Sequence, residues 1–302
     1  MAVARLRTVN LGPAGVVEKT AGAVTMPDTS NPQPLVSVIM GARNAEHTLE
    51  DALESIANQT YSNWELIACD DASNDSTLQI LEDFAARQPT RRVVILHNPQ
   101  RQMLAASLNR CLASAKGTYI ARMDADDISD SRRLAEQVAF LESSPDLDLV
   151  GTAVKRFGPD GIGGIVKYTP HPDRWSLHHG SPFAHPTVLV RAEVYSALGG
   201  YTVSRRTERC EDWDLWFRFF AAGFRGANLS EPLYLFREDM AAIRRRTARH
   251  RVQAYRTTVA GYRMLGYPPH WYVRPTFRLF KALVPPQIYL YIRRLQGLVG
   301  SR

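Results

Sequence analysis

Leu35-Val36-Ser37-Val38-Ile39-Met40 and Trp64-Glu65-Leu66-Ile67-Ala68-Cys69-Asp70-Asp71 bracket a segment in which Leu49, Leu53 and Ile56 recur at helical spacing. Two short apolar runs separated by one amphipathic helix read as a strand–helix–strand unit. The pattern continues outward. Leu78, Leu81 and Phe84 mark a second helix, Val93-Val94-Ile95-Leu96 a third strand, Leu104 to Ala115 a third helix, and Tyr119-Ile120-Ala121 a fourth strand. Such alternation implies right-handed crossovers and a largely parallel sheet covered on both faces. A sheet of this kind takes its ligands at the carboxyl ends of its strands.

Beyond Asp130 the regularity fades. The pattern predicts a helix over Arg132–Glu142, a strand over Asp148–Val154 and a turn at Gly158-Pro159-Asp160-Gly161. A strand over Thr187–Val190 should run into Ala192–Leu198, and a helix should cover Glu211–Ala222. Residues 1–34 mix Gly, Pro, Thr and Ala without a period and read as a flexible leader. Residues 35–239 form the expected main domain, and 240–302 a basic, aromatic-rich helical appendage.

The net charge of +7 is uneven. Residues 241–302 hold thirteen Lys or Arg and no acid, which leaves 24 basic against 30 acidic residues in the rest. The basicity belongs to the tail, so the reading includes no nucleic-acid partner. Cys69, Cys111 and Cys210 form no CxxC pair and read as small packing residues in a reducing, cytoplasmic compartment. No apolar run reaches the ~18 residues of a membrane span.

Three acidic clusters carry candidate chemistry. Asp124-Ala125-Asp126-Asp127 follows the fourth strand. Carboxylates at i and i+2 can converge on Mg²⁺ or Mn²⁺ with diphosphate oxygens completing the shell, or the run can simply cap the next helix. Asp70-Asp71 can accept hydrogen bonds from a base or ribose, or form an Asx turn with Asp75 as a cap. Glu211-Asp212 opens a helix whose Trp213, Trp216, Phe217 and Phe220 face the core. Its acids can complement the helix dipole, or Asp212 can serve as a general base.

The segments Val36–Ala45, Leu53–Tyr61 and Trp64–Ser76 closely resemble the opening of glycosyltransferase family 2. Ala121-Arg122-Met123-Asp124-Ala125-Asp126-Asp127 resembles that family's DxD segment, followed by Arg133-Leu134. His185-Pro186-Thr187, Leu198-Gly199-Gly200-Tyr201 and Glu211-Asp212-Trp213-Asp214-Leu215-Trp216 resemble its later blocks, in order. The resemblance covers about residues 35 to 237. It implies an α/β, Rossmann-like A-type glycosyltransferase fold with a mostly parallel central sheet, the C-terminal helical appendage lying outside it. It also implies a nucleotide-diphosphate sugar donor, inversion at the anomeric carbon, and Mn²⁺ or Mg²⁺.

Position by position, the resemblance sets Ala42, Arg43 and Asn44 in the nucleotide pocket with Glu46 nearby. Asp71 would contact the base, Asp124 the ribose or metal, and Asp126 the metal. Asp212 would take the proton from an acceptor hydroxyl, and Glu211 and His185 are candidates for the acceptor side. His185 has a structural alternative, as a lone histidine before proline. Gly41 and Arg43 stand where the family usually shows proline and an aromatic residue, and Pro99-Gln100-Arg101-Gln102-Met103 lacks the usual glycine. The QxxRW signature of processive synthases is absent, which favours single addition to a glycan or lipid-linked acceptor in cell-surface polysaccharide synthesis. Two alternatives stay open: a sugar-phosphate nucleotidyltransferase and a non-catalytic nucleotide-sugar-binding protein.

In the tail, Arg244-Arg245-Arg246, Arg249 and Arg251 precede Tyr262, Trp271, Tyr272, Phe277, Leu279 and Phe280, and Arg293-Arg294 lie within Ile288–Leu298. One reading packs this segment on the main domain. The other attaches it peripherally to an anionic membrane surface at the inner face of the cell membrane.

Overall fold

β1 (Val36–Ala42) leads through α1 (Leu49–Ala57) into β2 (Trp64–Asp70), and the two strands lie parallel, with Val36 opposite Trp64 and Ala42 opposite Asp70. The structure, a computed structural model, describes residues 33–158, 161–238 and 247–280. All but the last two residues of the expected leader, and the tail residues Arg244, Arg245, Arg246, Arg293 and Arg294, lie outside the described residues. α2 (Thr77–Ala86), β3 (Val93–His97), α3 (Leu104–Ser114) and β4 (Tyr119–Arg122) continue the alternation.

Side chains on β1 and β2 alternate between two buried layers, as the pleat requires. Val38, Met40, Leu66 and Ala68 meet Leu49, Leu53 and Ile56 of α1 and Leu81 and Phe84 of α2. Ile39, Ile67 and Cys69 point the other way, into a layer with Leu108 and Cys111 of α3. The apolar runs are unbroken because both faces are covered. All three cysteines are buried, and none is in a disulfide.

After β4 come the two-residue β5 (Ile128–Ser129), α4 (Arg133–Glu142), β6 (Leu149–Gly158), β7 (Gly161–Val166), β8 (Leu189–Arg191), α5 (Ala192–Leu198), α6 (Glu211–Ala221) and β9 (Gly226–Arg237). The sheet order is β3-β2-β1-β4-β8-β6-β9-β5, with β7 pairing β6. β3 through β4 form the parallel half. β8 runs antiparallel to both β4 and β6, while β6 and β9 are parallel. The chain runs outward from β1 to β3 and then returns to β4 on the opposite flank of β1. The crevice between the ends of β1 and β4 is therefore the topological switch point.

The structure departs from the sequence pattern at several places: β5 is unmarked, β6 runs on to Gly158, and two further differences have a local cause. The strand expected from Thr187 begins at Leu189, because His185–Thr187 forms a 3₁₀ turn. Pro186 has no N–H to donate, and Thr187 Oγ1 instead accepts the Thr152 N–H at 3.1 Å. β9 was not marked by the pattern. Pro232 interrupts its run, and the register with β6 jumps from Thr152–Leu229 to Val154–Tyr234 to pass it.

α7 (Ala248–Leu265) is capped by Thr247 with His250 and ends at Gly266 in the left-handed conformation. Tyr262 and Leu265 share a buried layer with Trp216 and Phe217 of α6. A Cβ on Gly261 would come within 2.2 Å of the Phe217 ring, so only glycine permits this approach. The first described helix of the tail is thus packed on the main domain. A 3₁₀ turn (Pro269–Tyr272) and α8 (Val273–Phe280) follow. Among the described residues no helix is long and apolar enough to cross a membrane.

Candidate active site

Asp124, Asp126 and Asp127 leave the end of β4 with ligand oxygens all within 4.8 Å of one another. The loop is held from several sides. The Asp124 N–H donates to Tyr234 Oη at 3.1 Å, Arg237 N–H donates to Asp127 Oδ1 at 2.7 Å, and Arg237 Nε donates to the Asp126 carbonyl at 2.7 Å. The Asp124 carboxylate pairs with the buried Arg122 guanidinium. Asp127 Oδ2 is buried with no hydrogen-bond partner among the described residues.

Two of these carboxylates, crowded into a desolvated cleft, resist ionisation. Asp126 reaches solvent, but burial of the cleft and then the Asp124 charge push its carboxyl up to about 6. Burial, then Asp124 and Asp126, push Asp127 up to about 8. An all-oxygen donor set with an unsatisfied buried carboxylate oxygen fits a hard divalent cation such as Mn²⁺ or Mg²⁺.

A cavity of about 450 Å³ opens at the ends of β1 and β2. Of the residues expected at the nucleotide, it gathers Ala42, Arg43 and Asp71. Gly41 also lines it, and a Cβ there would meet Leu104 Cδ1 at 2.8 Å. Asp71 is 5% exposed and works on the protein as well. Its Oδ1 accepts from Asn98 Nδ2 at 2.8 Å and Gln102 N at 2.6 Å, and its Oδ2 from Met103 N at 2.9 Å. That leaves one carboxylate lone pair for a ligand.

Asn44 and Glu46 act differently from the other expected donor residues. Asn44 Oδ1 accepts the Asn74 N–H and its own N–H donates to Ser73 Oγ. Glu46 accepts the Ser76 N–H at 3.1 Å. Both tie the loop after β1 to the loop after β2.

The opposite wall is Val203–Arg205 and Thr207–Arg209 together with Glu211. Apart from Glu211, the sequence pattern does not mark it, because its restraints come from distant elements. Asp214, 4% exposed, accepts from Thr202 Oγ1, Arg206 and Arg218. Burial alone would raise its pKa, but these bonds hold it low. From α7, Gln253 Nε2 donates to the Arg205 carbonyl at 2.6 Å and Thr257 Oγ1 to the Arg206 carbonyl at 2.9 Å. Arg249 pairs with Glu208.

Glu211 and Asp212 open α6. Burial, then Asp212, push Glu211 up to about 7, and Asp124 adds to the effect. Asp212 Oδ1 accepts the Trp213 N–H at 2.7 Å, and its charge reaches Tyr168. His185 is 8% exposed, and its Nε2 lies 2.9 Å from Tyr201 Oη. Burial, then Arg122, hold it well below the usual histidine range, so it is neutral.

Residues 37–199 match the model of Glycosyl transferase family 2. A Bacillus subtilis (strain 168) protein named "Putative glycosyltransferase EpsE" is 44% identical over 258 residues, spanning 85% of this chain and 92% of the relative. An Escherichia coli relative, UDP-Glc:alpha-D-GlcNAc-diphosphoundecaprenol beta-1,3-glucosyltransferase WfgD, is 38% identical over 107 residues, 35% of this chain and 41% of its own. The fold is similar to that of mannosyltransferase PcManGT from Pyrobaculum calidifontis, solved with GDP-Man and Mn²⁺. There the TM-score is 0.62 at 19% identity, covering 88% of this chain and 81% of that one. The chain belongs to glycosyl transferase family 2. It is therefore a glycosyltransferase, which sets aside the nucleotidyltransferase and non-catalytic readings.

Proposed function

We propose that the chain moves a sugar, with inversion, from a nucleotide-diphosphate sugar to a hydroxyl of a glycan or lipid-linked acceptor in cell-surface polysaccharide synthesis. The carrying observation is the placement of the Asp124–Asp127 carboxylates beside Glu211-Asp212, which adjoin the cavity lined by Ala42, Arg43 and Asp71. The relatives support the two substrate classes. WfgD is named for a diphosphoundecaprenol-linked acceptor and PcManGT was solved with GDP-Man.

In this reading the nucleotide lies along Ala42, Arg43 and Asp71, with Asn44 and Glu46 fixing the loops beneath it. Asp124 and Asp126 hold the Mn²⁺ or Mg²⁺ ion, with Asp127 behind them. A cation held there would offset negative charge developing on the leaving diphosphate. Asp212 accepts the proton of the acceptor hydroxyl as it attacks the face opposite the leaving group. Glu211 lies beside it on the acceptor side, and His185 supports that floor through Tyr201.

A panel of nucleotide sugars tests the reading. One of them should be hydrolysed in the presence of Mn²⁺, and Asp126→Ala should abolish this. Asp212→Asn should keep donor binding while transfer falls by about 10²–10⁴-fold. Metal-independent hydrolysis, or full transfer by Asp212→Asn, refutes the assignment.

The tail supports a peripheral contact with an anionic membrane. Val273 and Phe277 stand one turn apart on α8, 68% and 61% exposed, in a region that carries no acid.

A further inference from the structure

Arg43, Arg101, Arg205 and Arg209 all line the 450 Å³ cavity, and none of their guanidinium groups has a partner among the described residues. Arginines just behind the same wall are used differently: Arg206 and Arg218 are bonded to Asp214, and Arg249 to Glu208. None of the three acids lining the cavity, Asp71, Glu208 and Glu211, forms an ion pair with any of the four among the described residues. Asp71 spends three acceptor sites on Asn98, Gln102 and Met103, and Glu208 faces α7. An unneutralised set of guanidinium forks suits a ligand with many anionic oxygens, because each fork can bind two of them.

The wall bearing Arg205 and Arg209 is fixed before any ligand arrives. Gln253 and Thr257 hold the carbonyls of Arg205 and Arg206, and Arg209 is held at φ 59°. A fixed wall lowers the ordering cost of binding. Arg43 and Arg101 belong to the nucleotide side, on the loops after β1 and β3. Arg205 and Arg209 stand on the far side, next to Glu211 and the start of α6.

We infer that Arg205 and Arg209 form a second diphosphate subsite, separate from the Asp124–Asp126 carboxylates, that takes the diphosphate of a lipid-linked acceptor. This rests on the proposed transfer reaction and names its acceptor class. A diphosphate could come from the donor or the acceptor. The acceptor fits the position, because a glycosyl diphosphate acceptor carries its diphosphate one sugar ring from the attacking hydroxyl. That hydroxyl must reach Asp212, the neighbour of Glu211.

The test is calorimetric titration of the full-length protein with inorganic pyrophosphate in EDTA, which removes divalent cations from the carboxylate site. Wild type should bind, Arg205→Ala/Arg209→Ala should bind roughly tenfold more weakly, and Arg205→Lys/Arg209→Lys should retain part of the affinity. Farnesyl diphosphate should compete with pyrophosphate and lose affinity in the same double alanine variant, whereas UDP and GDP should not. Unchanged pyrophosphate binding in that variant, or no binding by wild type, overturns the subsite. Equal loss for UDP or GDP assigns it to the donor and overturns the acceptor assignment. The titration needs neither metal nor donor, so it can succeed or fail independently of the nucleotide-sugar hydrolysis that tests the reaction itself.

Discussion

Met103 gives its backbone N–H to Asp71 Oδ2 at 2.9 Å while standing at φ 72° and ψ 163°. That region of backbone space is essentially reserved for glycine. The segment Pro99–Met103 lacks the glycine usual in the family, yet the chain still makes the glycine turn, with a methionine in it. Asn44, Ala72 and Arg209 also have positive φ around the same cleft. The strain is sustained by Asp71, which clamps two successive N–H groups at the start of α3.

Met103→Gly should therefore stabilise the fold. Relief of about 1–3 kcal/mol of strain exceeds the ~0.5–1 kcal/mol entropic penalty of a glycine. Urea denaturation should show a net gain on the order of 1 kcal/mol. A loss would mean that the methionine side chain contributes more packing than the turn costs.

The wall formed by residues 202–210 depends on α7. Gln253→Ala leaves the Arg205 carbonyl without its donor, and Thr257→Val does the same at Arg206. Each should cost about 1–3 kcal/mol, since the Gln253 and Thr257 side chains are both buried. Hydrogen exchange should quicken in residues 202–210 while β1 and β2 keep their protection. Unchanged exchange there would show that Asp214 and Thr207 hold the wall unaided.

The contrast between the two halves of the site explains what the sequence made legible. Strands β1 to β4 are read from unbroken apolar runs because helices cover both their faces, and the carboxylates of the proposed metal site are read because three acids follow β4 directly. β9 is hidden by Pro232, whose disruption is absorbed only by a register shift against β6. The 202–210 wall is hidden for another reason: Gln253 and Thr257 lie more than forty residues from the carbonyls they hold. Arg122, the buried counter-charge of the acidic segment, is not legible as such, since one basic residue in a strand carries no periodic signal.

Glu211 gives a pH signature. Its carboxyl sits at about 7 in the fold against 4.5 for the free group, through burial and the facing charges of Asp212 and Asp124, partly offset by Arg122. Between those values the folded chain keeps a proton that the unfolded chain has released, so stability falls as pH rises from about 4.5 to 7. The loss attributable to this group is on the order of a few kcal/mol. Glu211→Gln should remove that component, so the stability difference between variant and wild type should grow across the window. A constant difference would show that Glu211 ionises normally.

The membrane contact is best tested by substitution on α8, since a truncation after Met240 would also strip α7 from the core it shares with Trp216 and Phe217. Val273→Asp/Phe277→Asp replaces two exposed apolar side chains without touching that layer. If α8 enters the interfacial region, each substitution forfeits about 1.5–3 kcal/mol of burial, and the nearby basic residues contribute about 1 kcal/mol each against anionic lipid. Full-length wild type should co-sediment with vesicles containing phosphatidylglycerol, bind less in high salt, and bind little to phosphatidylcholine alone. The double variant should bind the anionic vesicles at least about tenfold more weakly. Equal sedimentation of variant and wild type would exclude α8 as the contact and leave the exposed Val273 and Phe277 without a membrane role.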